Sequence, residues 1–215
     1  MARQGLAGAV PLAHYFLRER VRTGDSVVDA TCGNGQDALL LAGLVGSSGR
    51  VVAFDVQAEA LARTRARLAA AGLAERVTLV HAGHERLAEF VQGGQRAIVF
   101  NLGYLPAGDQ SVRTEPVSTL AALNQAVELL LPGGLVLVAV YTGHAGGEEE
   151  WRAVADWAAA LPPRSCNVWQ ARQLNRSPAA PFLVVVEKTG RGSAEPDQEG
   201  AGQNQQGGGE ADPAE

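Results

Sequence analysis

A chain of 215 residues, 46% hydrophobic and 19% charged, can bury one sizeable core and is not disordered throughout. Its net charge of −5 misleads until it is divided: from Gly190 to Glu215 there are one Arg, six acids and seven Gly, while residues 1–189 carry 17 basic and 17 acidic side chains. A neutral body excludes nucleic-acid binding by bulk charge, so any such contact needs a local basic patch.

The division suggests a folded domain over residues 1–189 and an acidic, Gly-rich tail over 190–215. That tail has no large apolar residue, cannot offset its chain entropy and is expected to be disordered. The longest apolar runs, such as Leu135–Tyr141, fall far short of the roughly 18 residues a membrane helix needs. No signal peptide is evident at the N-terminus. Cys32 and Cys166 are too few for a disulfide framework or a four-cysteine metal site. The expectation is a soluble cytoplasmic protein.

In chain order, the apolar spacing predicts an accessory helix over Gly8–Arg20, with Pro11 in its first turn. A strand at Ser26–Ala30, a helix at Gln36–Leu44, a strand at Val51–Asp55 and a helix at Ala58–Ala71 follow. Then come a strand at Val77–His81, a short helix at His84–Val91, a strand at Ala97–Asn101 and a helix at Thr119–Leu131. Leu131-Pro132-Gly133-Gly134 reads as a helix stop and turn that delivers a strand at Leu135–Tyr141. Beyond it lie a helix at Glu148–Ala160, whose three leading acids suit a helix N-terminus, a Pro162-Pro163 break, and strands near Cys166–Gln173 and Phe182–Glu187. No helix fits between those last two, so they should pair antiparallel. The alternation implies an α/β fold: a seven-stranded, mostly parallel sheet with helices on both faces and an antiparallel pair at its C-terminal end.

The loop after the first strand is the most informative stretch. Gly33-x-Gly35-x-x-Ala38 fits a nucleotide-binding turn, where missing side chains let backbone approach a ligand. Phe54-Asp55 ends the second strand 20 residues after Gly35, which places a carboxylate where a ribose diol would sit. Asp29 stands four residues before Gly33. A dinucleotide loop would bring its first glycine almost directly off the strand, toward a pyrophosphate. The wider, acid-led loop suits S-adenosylmethionine, which has a charged amino-acid end and no pyrophosphate. Asp29 is read either as a direct contact or as a brace for the loop. His81 and His84 are too few for zinc, and no metal site is expected.

Asp-Ala-Thr-x-Gly-Asn-Gly-x-Asp at 29–37, Phe-Asp-x-Gln at 54–57, His-Glu at 84–85, Asn-Leu-Gly-Tyr-Leu-Pro at 101–106 and Gly-His at 143–144 occur in this order. Together they resemble the bacterial family of tRNA 5-(aminomethyl)-2-thiouridine methyltransferases, long labelled rRNA methylases, with the class I methyltransferase (Rossmann-like) fold. The resemblance implies S-adenosylmethionine as cofactor, tRNA (the anticodon stem-loop) as partner, and a homodimer. It implies N-methylation of the 5-aminomethyl group on a wobble 2-thiouridine, giving the 5-methylaminomethyl form. Asn34 and Asp37 would contact the methionine end, Asp55 and Gln57 the ribose and adenine side, and Gly83 and His84 the adenosine. Family members often carry Ser where this chain has Gly83, so a hydroxyl contact would be lost there. With Asp29, Gly33 and Gly35, these residues form the expected cofactor site.

On the acceptor side, Asn101-Leu102-Gly103-Tyr104-Leu105-Pro106 resembles the Asn-Pro-Pro-Tyr motif of enzymes that methylate exocyclic amines. Asn101 could accept an N–H bond and Tyr104 could pack on the base. An alkyl amine must shed a proton before it attacks, and Asp109 or His144, with its ordinary pKa near 6.5, could receive it; supporting loop roles stand beside both. For RNA, Arg164, Trp169, Arg172 and Arg176 form one candidate patch, and Arg18, Arg20 and Arg22 a second. Arginine outnumbers lysine 17 to 1 throughout, so composition alone could produce such clusters. Competing readings are a methyltransferase of rRNA or of a small amine, and a cofactor-binding protein without catalysis.

Overall fold

The computed structural model describes residues 5–103 and 113–190. Its centre is a seven-stranded sheet in the order β3-β2-β1-β4-β5-β7-β6. The strands are β1 (Ser26–Asp29), β2 (Arg50–Asp55), β3 (Val77–His81), β4 (Gln95–Asn101), β5 (Leu130–Val140), β6 (Cys166–Ala171) and β7 (Phe182–Lys188). The first five run parallel; β7 pairs antiparallel with both β5 and β6, as the missing helix between the last two strands requires.

The helices are α1 (Ala9–Arg20), α2 (Gln36–Val45), α3 (Ala58–Ala70), α4 (Leu87–Phe90), α5 (Pro116–Leu129) and α6 (Gly147–Ala160). They divide between the sheet's two faces, and strand alternation dictates how. Val27, Val51, Val99, Leu137 and Val185 point one way and pack with Leu17, Leu41 and Leu68 from α1, α2 and α3. Val28, Phe54, Phe100, Val138 and Val184 point the other way, against Leu87, Leu123 and Val154 from α4, α5 and α6. Neighbouring residues along each strand thus serve two separate cores. Among the described residues, no helix is long and apolar enough to cross a membrane.

Most boundaries shift by one or two residues from the sequence reading, and three depart further. Helix α5 begins three residues early, because Pro116 sits at its first position, where a missing N–H costs nothing. It ends at Leu129, and Leu131–Gly134 lies inside β5 rather than before it. Gln95 pairs with Leu130 and Ala97 with Leu135, so four residues bulge out opposite Arg96, helped by Gly133 at φ 77°. The end of α5 is capped from afar: Lys188 Nζ donates to the carbonyls of Val127, Glu128 and Leu130 at 2.9–3.0 Å, meeting orphan acceptors that carry the helix's negative end. The stretch expected as one helix at His84–Val91 is a 3-10 turn (His84–Arg86) running into the four-residue α4.

Candidate active site

At the C-terminal ends of the parallel strands a cleft of about 650 Å³ opens, centred where the strand order reverses between β1 and β4. One side is the loop Ala30–Gly35. Its tight turn relies on Gly35 at φ 73°, where an added Cβ would lie 2.5 Å from Thr64 Oγ1. Thr64 donates to the Gly33 carbonyl at 3.1 Å, and Arg63 Nε donates to Asn34 Oδ1 at 3.0 Å. Helix α3 therefore grips the two residues that lead into Gly35. Asp55 ties it to β2: its carboxylate accepts the Gly33 N–H at 2.7 Å and the Gln57 N–H at 2.8 Å.

Three carboxylates converge here. Asp55 and Asp37 line the cleft, whereas Asp29 is completely buried and accepts the Thr31 N–H at 3.3 Å through Oδ1. Its Oδ2 has no hydrogen-bond partner among the described residues. Burial, then the neighbouring charge of Asp37, holds the Asp29 pKa well above the ordinary carboxylate range. Of the two readings open from sequence, the brace fits Asp29, and Gly35 is likewise buried outside the cleft lining. Asp37 joins two distant segments: it meets His14 Nε2 at 2.5 Å through Oδ1 and accepts from Asn101 Nδ2 at 2.5 Å through Oδ2. The Asn101 backbone N–H donates to Thr31 Oγ1 at 2.7 Å.

Further along, Gln57, Gly83 and His84 line the same cleft. His84 is buried edge-on against Phe100, with ring centroids 5.7 Å apart, and burial lowers its pKa, which keeps the imidazole neutral. Its Nε2 lacks a partner among the described residues. A Cβ at Gly83 would fall 2.2 Å from Glu85 Oε2, so the Glu85 carboxylate fills the space a larger residue would occupy. Glu85, part of the His-Glu pair in the sequence but given no role there, is a lining residue too.

The acceptor side is assembled from β4, β5 and α6. Gly103 and Thr114 close on each other: the Gly103 N–H donates to Thr114 Oγ1 at 2.7 Å and the Thr114 N–H to the Gly103 carbonyl at 2.8 Å. Thr114 Oγ1 then donates to Glu150 Oε2 at 2.8 Å and Thr119 Oγ1 to Glu150 Oε1 at 2.6 Å. Glu150 is only 2% exposed. It lies in the first turn of α6, where the three acids mark the expected helix start, and it also anchors the acceptor wall, a role the sequence does not assign. His144 sits between the two loops, with Cβ positions built on Gly103 and Gly147 at 3.2 and 3.1 Å from its Nε2. Tyr141 and Arg113 also line the cleft, and neither was singled out from sequence. Burial first, and the Asp37 charge second, raise the Tyr141 pKa, so its phenol stays protonated. Tyr104 and Asp109 lie outside the described residues, as does all of the tail beyond Gly190.

The candidate RNA patch separates. Ala171 pairs with Leu183 and Cys166 with Lys188, so Arg172 and Arg176 follow the cleft end of β6. Arg164 precedes its other end, roughly 20 Å away at about 3.3 Å per strand residue. Trp169 lies between them on the outermost strand and is 67% exposed. Arg172 is committed within the fold: its guanidinium stacks 3.5 Å from the Phe182 ring centroid and donates to the Pro178 carbonyl at 3.0 Å. Arg20, in the second patch, pairs with Glu187 at 2.9 Å, at the end of the sheet opposite the cleft. Among the described residues, no three His, Cys, Asp or Glu side chains gather as a metal site. Cys32 and Cys166 are buried thiols; burial pushes the Cys32 pKa far up and raises that of Cys166, so neither is a thiolate nucleophile.

Comparison with known proteins places this geometry. The family described as "Putative rRNA methylase" matches residues 51–187. The chain is 39% identical over 194 residues to the chloroplastic tRNA (mnm(5)s(2)U34)-methyltransferase of Arabidopsis thaliana, covering 86% of this chain and 70% of that one. A crystal structure of a protein titled an rRNA-methylase from Clostridium thermocellum superposes with a TM-score of 0.83 at 39% identity, covering 86% of this chain and all of that one. A methyltransferase from Streptococcus mutans, solved in complex with SAH, gives 0.77 at 35% identity, with 86% and 99% covered. The chain belongs to this rRNA-methylase family of class I, S-adenosylmethionine-dependent methyltransferases.

Proposed function

We propose that this protein transfers a methyl group from S-adenosylmethionine to the 5-aminomethyl nitrogen of a wobble 2-thiouridine in tRNA, giving the 5-methylaminomethyl nucleoside. The observation that carries the reading is the Asn101 amide, held by Asp37 at the border between the acidic loop and the β4–β5 wall. The likeness to the plant wobble-uridine enzyme supplies the substrate class.

The residues present fit the cofactor. Asp29 is driven toward its neutral form by burial and by the like charges of Asp37 and Asp55, and a cation relieves such repulsion. Asp55 retains lone pairs beyond its two amide bonds for a ribose diol. Gly33, Asn34, Asp37 and Gln57 would complete the hold, with Gly83 and His84 toward the adenine and Asp29 and Gly35 supporting from behind. When bound, the cofactor supplies an already activated methyl group, so the protein's task is mainly position.

This chain's own residues then orient the amine. With its N–H₂ given to Asp37, Asn101 keeps Oδ1 to accept an N–H of the substrate. The amine loses one proton before its lone pair forms the new N–C bond, and His144 is the proposed recipient. Tyr104 to pack on the base and Asp109 to select the ammonium complete the proposal. Arg113, which no carboxylate among the described residues pairs, would supply a cation in the cleft for a flanking phosphate, and Arg176, in the segment that follows the cleft end of β6, would supply a second outside the lining. Trp169 and Arg164 would extend that contact along the edge strand. The assembly proposed is a homodimer, checked by light scattering.

The test is nucleoside mass spectrometry of tRNA bearing 5-aminomethyl-2-thiouridine after incubation with the protein and S-adenosylmethionine. Gain of one methyl on that nucleoside is expected. The family description favours a second reading, an rRNA substrate, which methylation of rRNA but not of this tRNA would establish.

A further inference from the structure

The accessory helix α1 belongs to the catalytic apparatus. Val10 lines the cleft, and one turn later His14, 7% exposed, reaches the first turn of α2. From the sequence α1 is only an added helix, with an apolar face that includes Ala9, Ala13 and Leu17. A histidine on that buried face needs a partner, since an unsatisfied polar group there is costly. Its partner is Asp37, 23 residues away.

Asp37 is also what fixes Asn101. A carboxylate in the first turn of a helix can rotate about its side-chain torsions, and each setting would direct the Asn101 amide differently. Here both oxygens are engaged, Oδ1 by His14 and Oδ2 by Asn101 Nδ2, at 2.5 Å each. The Asn101 main chain is separately held by Thr31, so the amide's rotation is the remaining freedom. We infer that His14 is a positioning residue: by holding Asp37 it sets the Asn101 amide with Nδ2 toward Asp37 and Oδ1 available to the acceptor nitrogen. The inference rests on the assignment of Asn101 to the acceptor side given above. In this reading His14 acts through one carboxylate and not on the reacting atoms themselves.

The consequence is a coupling that a packing role for His14 would not produce. The first readout needs no substrate: the side-chain amide resonances of Asn101 in the cofactor-free protein, followed in wild type, His14→Leu and His14→Gln. His14→Leu should shift these resonances and speed their hydrogen exchange, while His14→Gln, which keeps an N–H donor, restores both. The second readout is methyl transfer, where His14→Leu should lower kcat about ten- to a hundredfold with little change in KM for RNA. Combined with Asn101→Ala, it should cost nothing further, because a misdirected amide is already gone. Unchanged Asn101 resonances in His14→Leu, or additive losses in the double variant, would overturn the inference. Should His14→Leu unfold, Asn101 resonances in His14→Gln that match neither wild-type position nor exchange would overturn it equally. Absence of any tRNA methylation by wild type would defeat the proposed substrate alone, since the resonances still decide the role of His14.

Discussion

The two halves of the cleft are built by different means. On the cofactor side, main-chain groups do most of the holding: glycine geometry at 33–35, and the Gly33 and Gln57 amides gathered on the carboxylate that ends β2. On the acceptor side, single side chains tie remote segments together, with Asn101 to Asp37 spanning 64 residues and Thr114 to Glu150 spanning 36. A ligand shared by many enzymes is met by a local backbone shape, and a particular acceptor is met by tertiary assembly. The two halves should therefore fail separately when mutated.

The sharpest separation pairs Asn101→Ala with Asp55→Ala. Asn101→Ala should leave S-adenosylmethionine affinity near wild type in calorimetry while lowering kcat by about 10²–10³, the scale of removing one well-placed polar group from a reaction site. Asp55→Ala should weaken cofactor binding about a hundredfold, because it removes a ribose partner and also frees the Gly33 and Gln57 amides. Cofactor affinity falling in parallel with rate in Asn101→Ala would move that residue to the other half.

Glu150→Gln tests the acceptor wall alone. A glutamine can accept from one threonine hydroxyl, but its NH₂ group meets the other as a donor, so one of the two bonds must rearrange. We expect kcat to drop about tenfold, with cofactor affinity unchanged and Tm a few degrees lower. Loss of cofactor affinity would show that the halves are mechanically joined after all. Arg113→Ala should act more weakly, raising the RNA Kd severalfold at low salt and reducing the slope of log K against log salt by about one. An unchanged slope would remove Arg113 from the phosphate surface.

The same contrast explains what the amino-acid sequence reveals and what it hides. Strand alternation and loop glycines are local signals, so all seven strands, the antiparallel end and the Asp29–Asp37 loop are legible in the order of residues alone. Glu150's second role is not, because three consecutive acids at a helix start are fully explained by the helix N-terminus, and only the fold turns the third one inward. His14 is hidden likewise: its partner is set by how α1 lands on α2. The bulge in β5 escapes because Pro132-Gly133-Gly134 obeys every rule for a turn between elements, and strand pairing absorbs it with four residues opposite one. Arg172 carries the composition of an RNA contact and is occupied by an aromatic ring instead.

Asp29 gives the smallest effect and the most direct look at electrostatic cost on the cofactor side. Its pKa in the folded chain is raised well above the ordinary value by burial and by Asp37. A carboxyl shifted in that direction binds its proton more tightly folded than unfolded. Its full contribution is present below the unfolded value of about 3.9 and is lost as pH climbs toward the folded value, where further ionisation costs nothing more. Replacing it with Asn keeps an oxygen for the Thr31 N–H and removes the charge. Asp29→Asn should thus match wild type in Tm near pH 4 and exceed it by a few degrees near pH 8. Cofactor binding should move the other way: without the Asp29 charge, a cationic ligand relieves less repulsion, and affinity near pH 8 should fall severalfold. A variant that loses stability at pH 8 would mean that the buried amide, unable to satisfy its second donor where Oδ2 now lies unpartnered, costs more than the charge it replaced.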